Sequence, residues 1–345
     1  MGIALQTVTN ELTHVFLLSV GAFLLAMFLT PIYTFFAYRY RFWKRQRSES
    51  TDGKELKIFA KFQAAKLRRN IPTMAGVIGV ISIFVVTIFF NLDRAQTWLP
   101  LAALVGGGIV GLIDDIINLR GLGGGAAGLR SPVKFALITL IGVVLGWFFF
   151  AKLGVASFHV PFVGEVNIGW LIVPLFAFAV VATGNAVNIS DGMDGLAGGL
   201  LGISFGAFGV IALLQQHVIL AGFCFTVVGV LLSYLWFNIY PARFFMGDVG
   251  SFAYGACLGV VAMLTDSLLL LPVIGLLFVI EAGSSLTQIV SKKLFKRKIF
   301  LSAPIHHHLE AIGWPETKVT MRFWVIGCVM AFIGVMLALA GGHIA

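Results

Sequence analysis

Charge is what this sequence lacks most. Only 11% of its 345 residues are Asp, Glu, Lys or Arg, against roughly a quarter in an average soluble domain. A chain this poor in hydratable groups cannot cover a folded surface with water-facing side chains, which excludes a soluble globular protein. Cysteine is nearly absent as well. Cys224, Cys257 and Cys328 all lie in apolar stretches, which argues against a disulfide framework or a thiolate metal cluster and leaves them as small core residues. No internal repeat stands out. The first apolar stretch has neither a charged n-region nor an A-x-A site before its end, so it is expected to be retained rather than cleaved.

What fills the chain instead is hydrophobic, 59% of the residues. Apolar runs long enough to cross a hydrocarbon core of about 30 Å are predicted near 15–37, 72–90, 98–117, 134–151, 168–187, 195–214, 217–237, 251–265, 268–290 and 321–341. The expected fold is an all-α integral membrane protein of about ten transmembrane helices in a single polytopic domain, 1–345. The run at 251–265 is the shortest and weakest. Between two spans, residues 151–168 alternate apolar with small or polar residues and are punctuated by Gly and Pro, which suits a short β-hairpin.

With ten spans, the loops 38–71, 118–134, 188–194, 238–250 and 291–320 share one side of the membrane. Those loops and their borders hold 22 of the 24 Lys and Arg; Arg94 and Lys152 are the exceptions. The positive-inside rule makes that side cytoplasmic and both termini external. The net charge of +9 is thus a topogenic signal and an attraction for anionic lipid, and nucleic acid is not an expected partner.

Acids are scarce, so their positions carry information. Asp114 and Asp115 stand in "GLIDD", Asp191 and Asp194 in "NAVNISDGMDGLAGG", and Asp248 in "FFMGDVGS". All five fall at the cytoplasmic boundary. Any one of them could be a solvated loop residue, and Asp191 could simply cap the next helix. Together, among Gly, Asn and Ser that let backbone approach closely, they suit metal-assisted phosphoryl transfer. Mg²⁺ prefers carboxylate and phosphate oxygens, and it neutralises charge on a diphosphate under attack. Nearby Lys134, Arg130, Arg243 and Lys66/Arg68/Arg69 could hold further phosphate charge. A transporter would place such acids nearer the bilayer midplane, where only Glu281 stands, as an interhelical hydrogen-bond partner or a relay.

The triple histidine in "APIHHHLEAIGWPE" lies on the same side. If 304–312 is helical, the three rings cannot share a face, whereas His306 and Glu310 can. A structural zinc site wants four ligands, commonly with Cys, and none is near in sequence. Phosphate contact is the favoured reading, with His308 orienting the loop through Glu310.

Taken together, "IPTMAG" (71–76), "GLIDD" (111–115), "NAVNISDGMDGLAGG" (185–199), "FNIYPARFFMGDVGSFAYG" (237–255) and "PIHHHLEAIGWPETKVTMRFWVI" (304–326) resemble the polyprenyl-phosphate N-acetylhexosamine-1-phosphate transferases. The histidine-to-RFW run is most like the branch that transfers phospho-N-acetylmuramoyl-pentapeptide. The resemblance implies ten spans and a homodimer in the bacterial inner membrane, with the active site on the cytoplasmic face. The implied reaction takes UDP-N-acetylmuramoyl-pentapeptide and undecaprenyl phosphate to lipid I and UMP with Mg²⁺, the first membrane step of peptidoglycan synthesis. By the same resemblance, Asp248 would ligate Mg²⁺ with Asp114 and Asp115 at the lipid-phosphate end, Asp114 as a candidate base. Lys134, His306 and His307 would meet phosphate or diphosphate. Asn188, Asp191 and Asp194 would line the nucleotide cleft, with Asn238 and Phe245 at the uracil, Phe245 by stacking. Arg68, Thr73, Asn185 and His308 would complete the substrate contacts. The chain departs from the family's pattern at Arg68, Asn70, Ile71, Asn118 and Ile138. The rival readings are a transferase for UDP-N-acetylglucosamine or a related sugar, and a silent or transporting relative of the same fold.

Overall fold

A computed structural model describes residues 2–43, 70–121 and 128–342. The fold is that of an all-α integral membrane protein with one small hairpin. In chain order the helices are α1 (Gly2–Arg39), α2 (Gly76–Phe90), α3 (Trp98–Arg120), α4 (Ser131–Leu153), α5 (Ile172–Ser190), α6 (Leu196–Leu214), α7 (Val218–Asn238), α8 (Gly247–Leu264), α9 (Leu276–Phe295), α10 (Ile305–Ala311) and α11 (Glu316–Ala340). Among the described residues, eight helices are long and apolar enough to cross a membrane.

The other two predicted spans differ from a simple crossing. The run at 268–290 is broken: a short helical segment, Leu268–Ile274, meets α9 at an angle of 81°. The bend falls at Gly275, whose N–H is bonded to the Leu271 carbonyl. The run at 72–90 becomes helical only at Gly76, leaving 15 residues in α2, about 22 Å of rise. Its first residues, 70–75, are instead spent on a strap described below.

The run that reads as weakest in sequence is the centre of the bundle. In α8, 94% of the span is buried, and its mean hydropathy of 1.4 is the lowest of the eight. The two facts share a cause. A helix that faces protein on all sides needs small residues for close packing rather than lipophilic ones. Conversely α1, α4 and α11 are only 28% buried and turn large side chains such as Phe16, Phe28, Trp147 and Phe332 outward, as lipid-facing helices do.

Backbones pack closely where α3 crosses α8. A Cβ on Gly107 would lie 2.6 Å from the Phe252 carbonyl oxygen, and one on Gly111 would lie 2.1 Å from that of Asp248. Backbone opposes both positions, so no rotamer change can make room. Gly111→Ala is therefore expected to destabilise the bundle by about 1–3 kcal/mol through overpacking, measured as a lowered Tm in detergent. An unchanged Tm would mean that the two helices do not meet there.

The expected hairpin is present. β1 (Ser157–Val160) pairs antiparallel with β2 (Gly164–Asn167), Ser157 opposite Asn167 and Val160 opposite Gly164. It sits at the far end of the bundle from Asp248, since α8 spans 18 residues, about 27 Å of rise, and Asp266 beyond it accepts the His159 N–H at 2.9 Å.

Candidate active site

Three helix ends supply a charged cluster. Asp114 and Asp115 lie in the last turns of α3, Lys134 in the first turn of α4, and Asp248 in the first turn of α8. The Lys134 ammonium donates to Asp114 Oδ2 at 2.8 Å and to Asp248 Oδ2 at 2.7 Å. Both carboxylates are nearly sealed, with side chains 3% and 10% exposed, and the lysine is 18% exposed. Burying such charge is tolerated because each carboxylate meets a donor. Asp114 Oδ1 also accepts the Leu129 N–H at 2.6 Å, which draws the segment before α4 against the cluster. Gly128, with φ of +112°, allows that approach, for a Cβ there would lie 2.8 Å from Asp114 Oδ1.

The adjacent aspartates are not equivalent. Successive helical residues point about 100° apart, so Asp115 turns to the N-terminus of α8, where its Oδ2 accepts the Val249 N–H at 3.1 Å. It is completely buried. A carboxylate at a helix N-terminus completes orphan amides and complements the dipole, so Asp115 holds α8 while Asp114 faces Lys134. Thr73 belongs to this layer. Gly247 has φ of +75°, and a Cβ on it would lie within 2.6–2.9 Å of Asp115 Oδ2, the Met74 nitrogen and Thr73 Oγ1.

The strap 70–76 pairs with the segment before α8 almost as a strand would. The Phe245 N–H donates to the Pro72 carbonyl at 2.8 Å, and the Ala75 and Gly76 N–H groups donate to the Phe245 and Met246 carbonyls at 3.0 and 2.9 Å. Tyr33 donates its hydroxyl to the Thr73 carbonyl. Phe244, not Phe245, is the packing member of the pair, buried against Tyr33, Tyr234 and Phe237. Phe245 remains half-buried, with its backbone fixed on both sides. Arg68 lies outside the described residues.

Several residues expected to meet a nucleotide also hold two neighbouring loops together. Asp194 is buried and accepts the Ala242 N–H at 3.0 Å. Asn238, also buried, accepts the Gly195 N–H at 2.9 Å and donates to the Phe244 carbonyl at 2.8 Å. These bonds tie loop 191–195 to loop 239–246. Asp191 and Asn188 stay half-exposed, Asn188 donating to Ser251 Oγ at 2.9 Å, one turn along α8 from Asp248. Asn185 donates to the Val181 carbonyl of its own helix.

The histidines sort differently from the sequence expectation. The predicted helix forms as α10, but Glu310 pairs with His307, Nδ1 to Oε2 at 2.7 Å, rather than with His306 or His308. His308 Nδ1 accepts the Leu301 N–H at 3.3 Å, so it does orient the loop, though without Glu310. His306 is fully buried and its Nδ1 lies 2.7 Å from Glu281 Oε2. Its other nitrogen packs on Gly192, where a Cβ would lie 2.4 Å away. Glu281 is thus an interhelical partner that sets one ring against the Asp191–Asp194 loop. Burial holds His307 below the usual histidine range, against the opposing pull of Glu310. With Nδ1 donating to a carboxylate, the neutral ring turns Nε2 elsewhere as an acceptor, and it donates there only when protonated.

Sequence reasoning missed the supports of this layer. Ser284 accepts the Ile305 N–H at 2.9 Å, and Gln288 accepts the Ile299 and Phe300 N–H groups while donating to the Phe300 carbonyl. Glu316 of the "GWPE" turn accepts the Asp194 N–H at 2.6 Å. The available signal was their spacing: Glu281, Ser284, Gln288 and Ser291 recur on one face of an otherwise apolar helix.

Residues 97–266 match glycosyl transferase family 4. The phospho-N-acetylmuramoyl-pentapeptide-transferase of Chloroflexus aggregans is 38% identical, covering 99% of this chain and 94% of its own. That of Geobacillus thermodenitrificans is 36% identical over 91% of this chain and 94% of its own, and that of Oceanobacillus iheyensis 35% over 94% and 98%. The chain belongs to the phospho-N-acetylmuramoyl-pentapeptide-transferase family. The glycosyl transferase family 4 match runs from the start of α3 to just beyond α8, so it contains the lysine–aspartate cluster and both tied loops. It stops before Glu281 and the histidines, which only the full-length likeness to phospho-N-acetylmuramoyl-pentapeptide-transferases takes in.

Proposed function

We propose that this chain transfers phospho-N-acetylmuramoyl-pentapeptide from its UDP-linked donor to undecaprenyl phosphate, releasing UMP, on the cytoplasmic face of a bacterial inner membrane. The observation that carries the reading is the Asp114–Lys134–Asp248 cluster, three helix ends holding two carboxylates on one ammonium where the spans end. The concentration of Lys and Arg in the loops on that side favours the cytoplasmic face. The curated relatives carry the transferase's name across nearly the whole chain. A homodimer, as the sequence resemblance implies, belongs to the same proposal.

The donor set fits Mg²⁺. Asp114 and Asp248 turn carboxylate oxygens onto a single cationic centre, now the Lys134 ammonium, and hard oxygens in such a pair are what Mg²⁺ takes alongside substrate phosphates. Asp114 and Asp248 would hold the ion, which would neutralise charge on the diphosphate. Asp115 is committed to α8 and orients Asp248 rather than ligating. Lys134, released from one carboxylate, reaches phosphate oxygen as a point charge. The attacking lipid phosphate has a second pKa near 6 and is largely ionised at neutral pH, so Asp114 need not remove a proton from it. Phosphoryl transfer then requires mainly positioning and charge stabilisation. His307 meets the diphosphate as imidazolium, taking up a proton as the anion arrives. His306, sealed behind it, holds the Asp191–Asp194 loop. Phe245 offers a ring for a base to stack on.

The test is release of UMP from UDP-N-acetylmuramoyl-pentapeptide and undecaprenyl phosphate by folded, detergent-purified protein. Release that requires Mg²⁺ is expected, with UDP-N-acetylglucosamine a poor donor. Absence of release overturns the proposal, and preference for UDP-N-acetylglucosamine replaces it with the rival transferase.

A further inference from the structure

The hairpin at the end of the bundle away from Asp248 carries an exposed apolar tip that the transfer reaction does not use. Val160 stands opposite Gly164, so the tip is a three-residue loop of Pro161, Phe162 and Val163. Phe162 is 71% exposed and Val163 75%. Phe162 also has φ of +65°, a left-handed conformation that bulky side chains disfavour and glycine or asparagine ordinarily supplies. A ring held there, with so little of its surface against the chain, adds little to the fold. Strain of this kind at an exposed position points to a use outside it.

The hairpin is tied down along its length. At its base the Ala156 carbonyl accepts the Ile168 and Gly169 N–H groups, both at 3.0 Å, just before α5. At its middle the His159 N–H donates to Asp266 Oδ1, in the turn after α8. At its tip the Phe162 N–H donates to the Gly341 carbonyl at 3.1 Å, directly after α11. Base, middle and tip thus rest on three helix ends, which fixes the depth at which the tip is presented.

That depth is the membrane boundary. Residues 323–340 of α11 carry no charge and rise about 27 Å, close to the thickness of a hydrocarbon core, roughly 30 Å. Gly341 therefore stands where the core ends, and Phe162 is bonded to it. The helix beneath the tip faces lipid: Val325, Val329, Phe332, Met336 and Leu339 form an exposed stripe at helical spacing that runs up to this end. At the hairpin's base, Trp170 and Leu171 are exposed as well, and tryptophan is a residue of the membrane–water interface.

We propose that Phe162 and Val163 insert into the leaflet at this end of the bundle as an interfacial anchor, with Trp170 and Leu171 as a second foothold at the hairpin's base. The partner is the acyl region just below the headgroups, about 5–10 Å deep, where interfacial apolar side chains settle. Lipid is favoured over a second copy of the chain because the tip adjoins the lipid-facing stripe of α11. The anchor holds the ends of α5, α8 and α11 at one depth. The inference does not depend on the transfer reaction.

The test places a nitroxide on Phe162→Cys, in full-length chain reconstituted in phosphatidylethanolamine and phosphatidylglycerol bilayers. Cys328→Ala removes the one exposed thiol among the described residues, leaving Cys224 and Cys257 buried. Collision of the label with oxygen, which partitions into lipid, is compared with collision with a water-soluble nickel chelate. Met336→Cys on the stripe and Arg94→Cys in the exposed loop before α3 give the lipid and water references. At position 162, oxygen collision is expected to exceed nickel collision several-fold, as at 336, and Val163→Cys is expected to agree. Rates like those at 94 at both tip positions put the tip in water and overturn the proposal. Low rates with both reagents also overturn it, because protein, such as a second copy of the chain, then covers the tip.

Discussion

Asp248→Asn is expected to lower UMP release by on the order of 10³-fold while leaving the folded chain intact. Asparagine keeps the shape of aspartate and can still accept from Lys134, so the bond at 2.7 Å has a neutral successor and α8 retains its place. What disappears is charge. Two carboxylates, Asp114 and Asp248, face one ammonium, Lys134, with Asp115 close by at the N-terminus of α8, an excess of negative charge suited to a divalent ion. The substitution removes part of that excess and half of the carboxylate pair, and loss of one well-placed electrostatic partner in a dry site costs about 10²–10³ in rate even without a metal. The Mg²⁺ dependence should move with it, to much higher concentrations for half-maximal rate. A near-wild-type rate at ordinary Mg²⁺ would remove Asp248 from the site. Asp115→Asn should behave differently, lowering Tm before it changes the Mg²⁺ dependence, because its carboxylate serves the N-terminus of α8.

Lys134→Met should act first on stability. Removing the ammonium leaves Asp114 and Asp248 facing each other, and breaking a buried ion pair on one side costs about 3–5 kcal/mol. The lysine is 18% exposed, which screens part of this, so about 3 kcal/mol is the expected loss in chelator. Divalent ion can take the place of the missing charge. Mg²⁺ is therefore expected to raise the Tm of Lys134→Met by more than it raises that of wild type, while UMP release stays at least about 100-fold down because the phosphate contact is gone. Equal Mg²⁺ shifts in the two proteins would mean that Lys134 and the metal do not share the carboxylates.

How much could be read beforehand follows from what each side chain answers to. Spans answer to lipid, which demands apolar runs, so α4, α6 and α7 could be placed within a few residues, whereas α1 begins at Gly2, well before the expected 15. The α8 run was under-read for the converse reason: it answers to other helices, and Gly250, Ser251, Ala253 and Gly255 register on a hydropathy scale as weakness. The break at Gly275 left no apolar gap to notice. At the site, the acids and Lys134 were legible as scarce charges at one depth. Their pairing was not, because the ion pairs of Lys134 join positions 20 and 114 residues away in sequence. The His306–Glu281 pair, 25 residues apart, escaped for the same reason, and local helix geometry suggested Glu310 in its place. Asp194 and Asn238 carried substrate-like residue types but spend their bonds on backbone, which only the tertiary fold reveals.

The burial of α8 also bears on how the protein is made. A segment of mean hydropathy 1.4 with Asp248 in its first turn has little tendency to leave a translocation channel for lipid unaided. Its gain in free energy comes from the glycine-lined face of α3 and from α5, against which Gly255 and Gly259 of α8 pack, both helices synthesised earlier. Those helices have to be waiting, already inserted and adjacent, when α8 emerges. The order of the chain thus lets α8 enter a slot rather than a bilayer, and mutations that widen or fill the slot, such as Gly111→Ala, should show up as failed biogenesis before they show up as slow turnover.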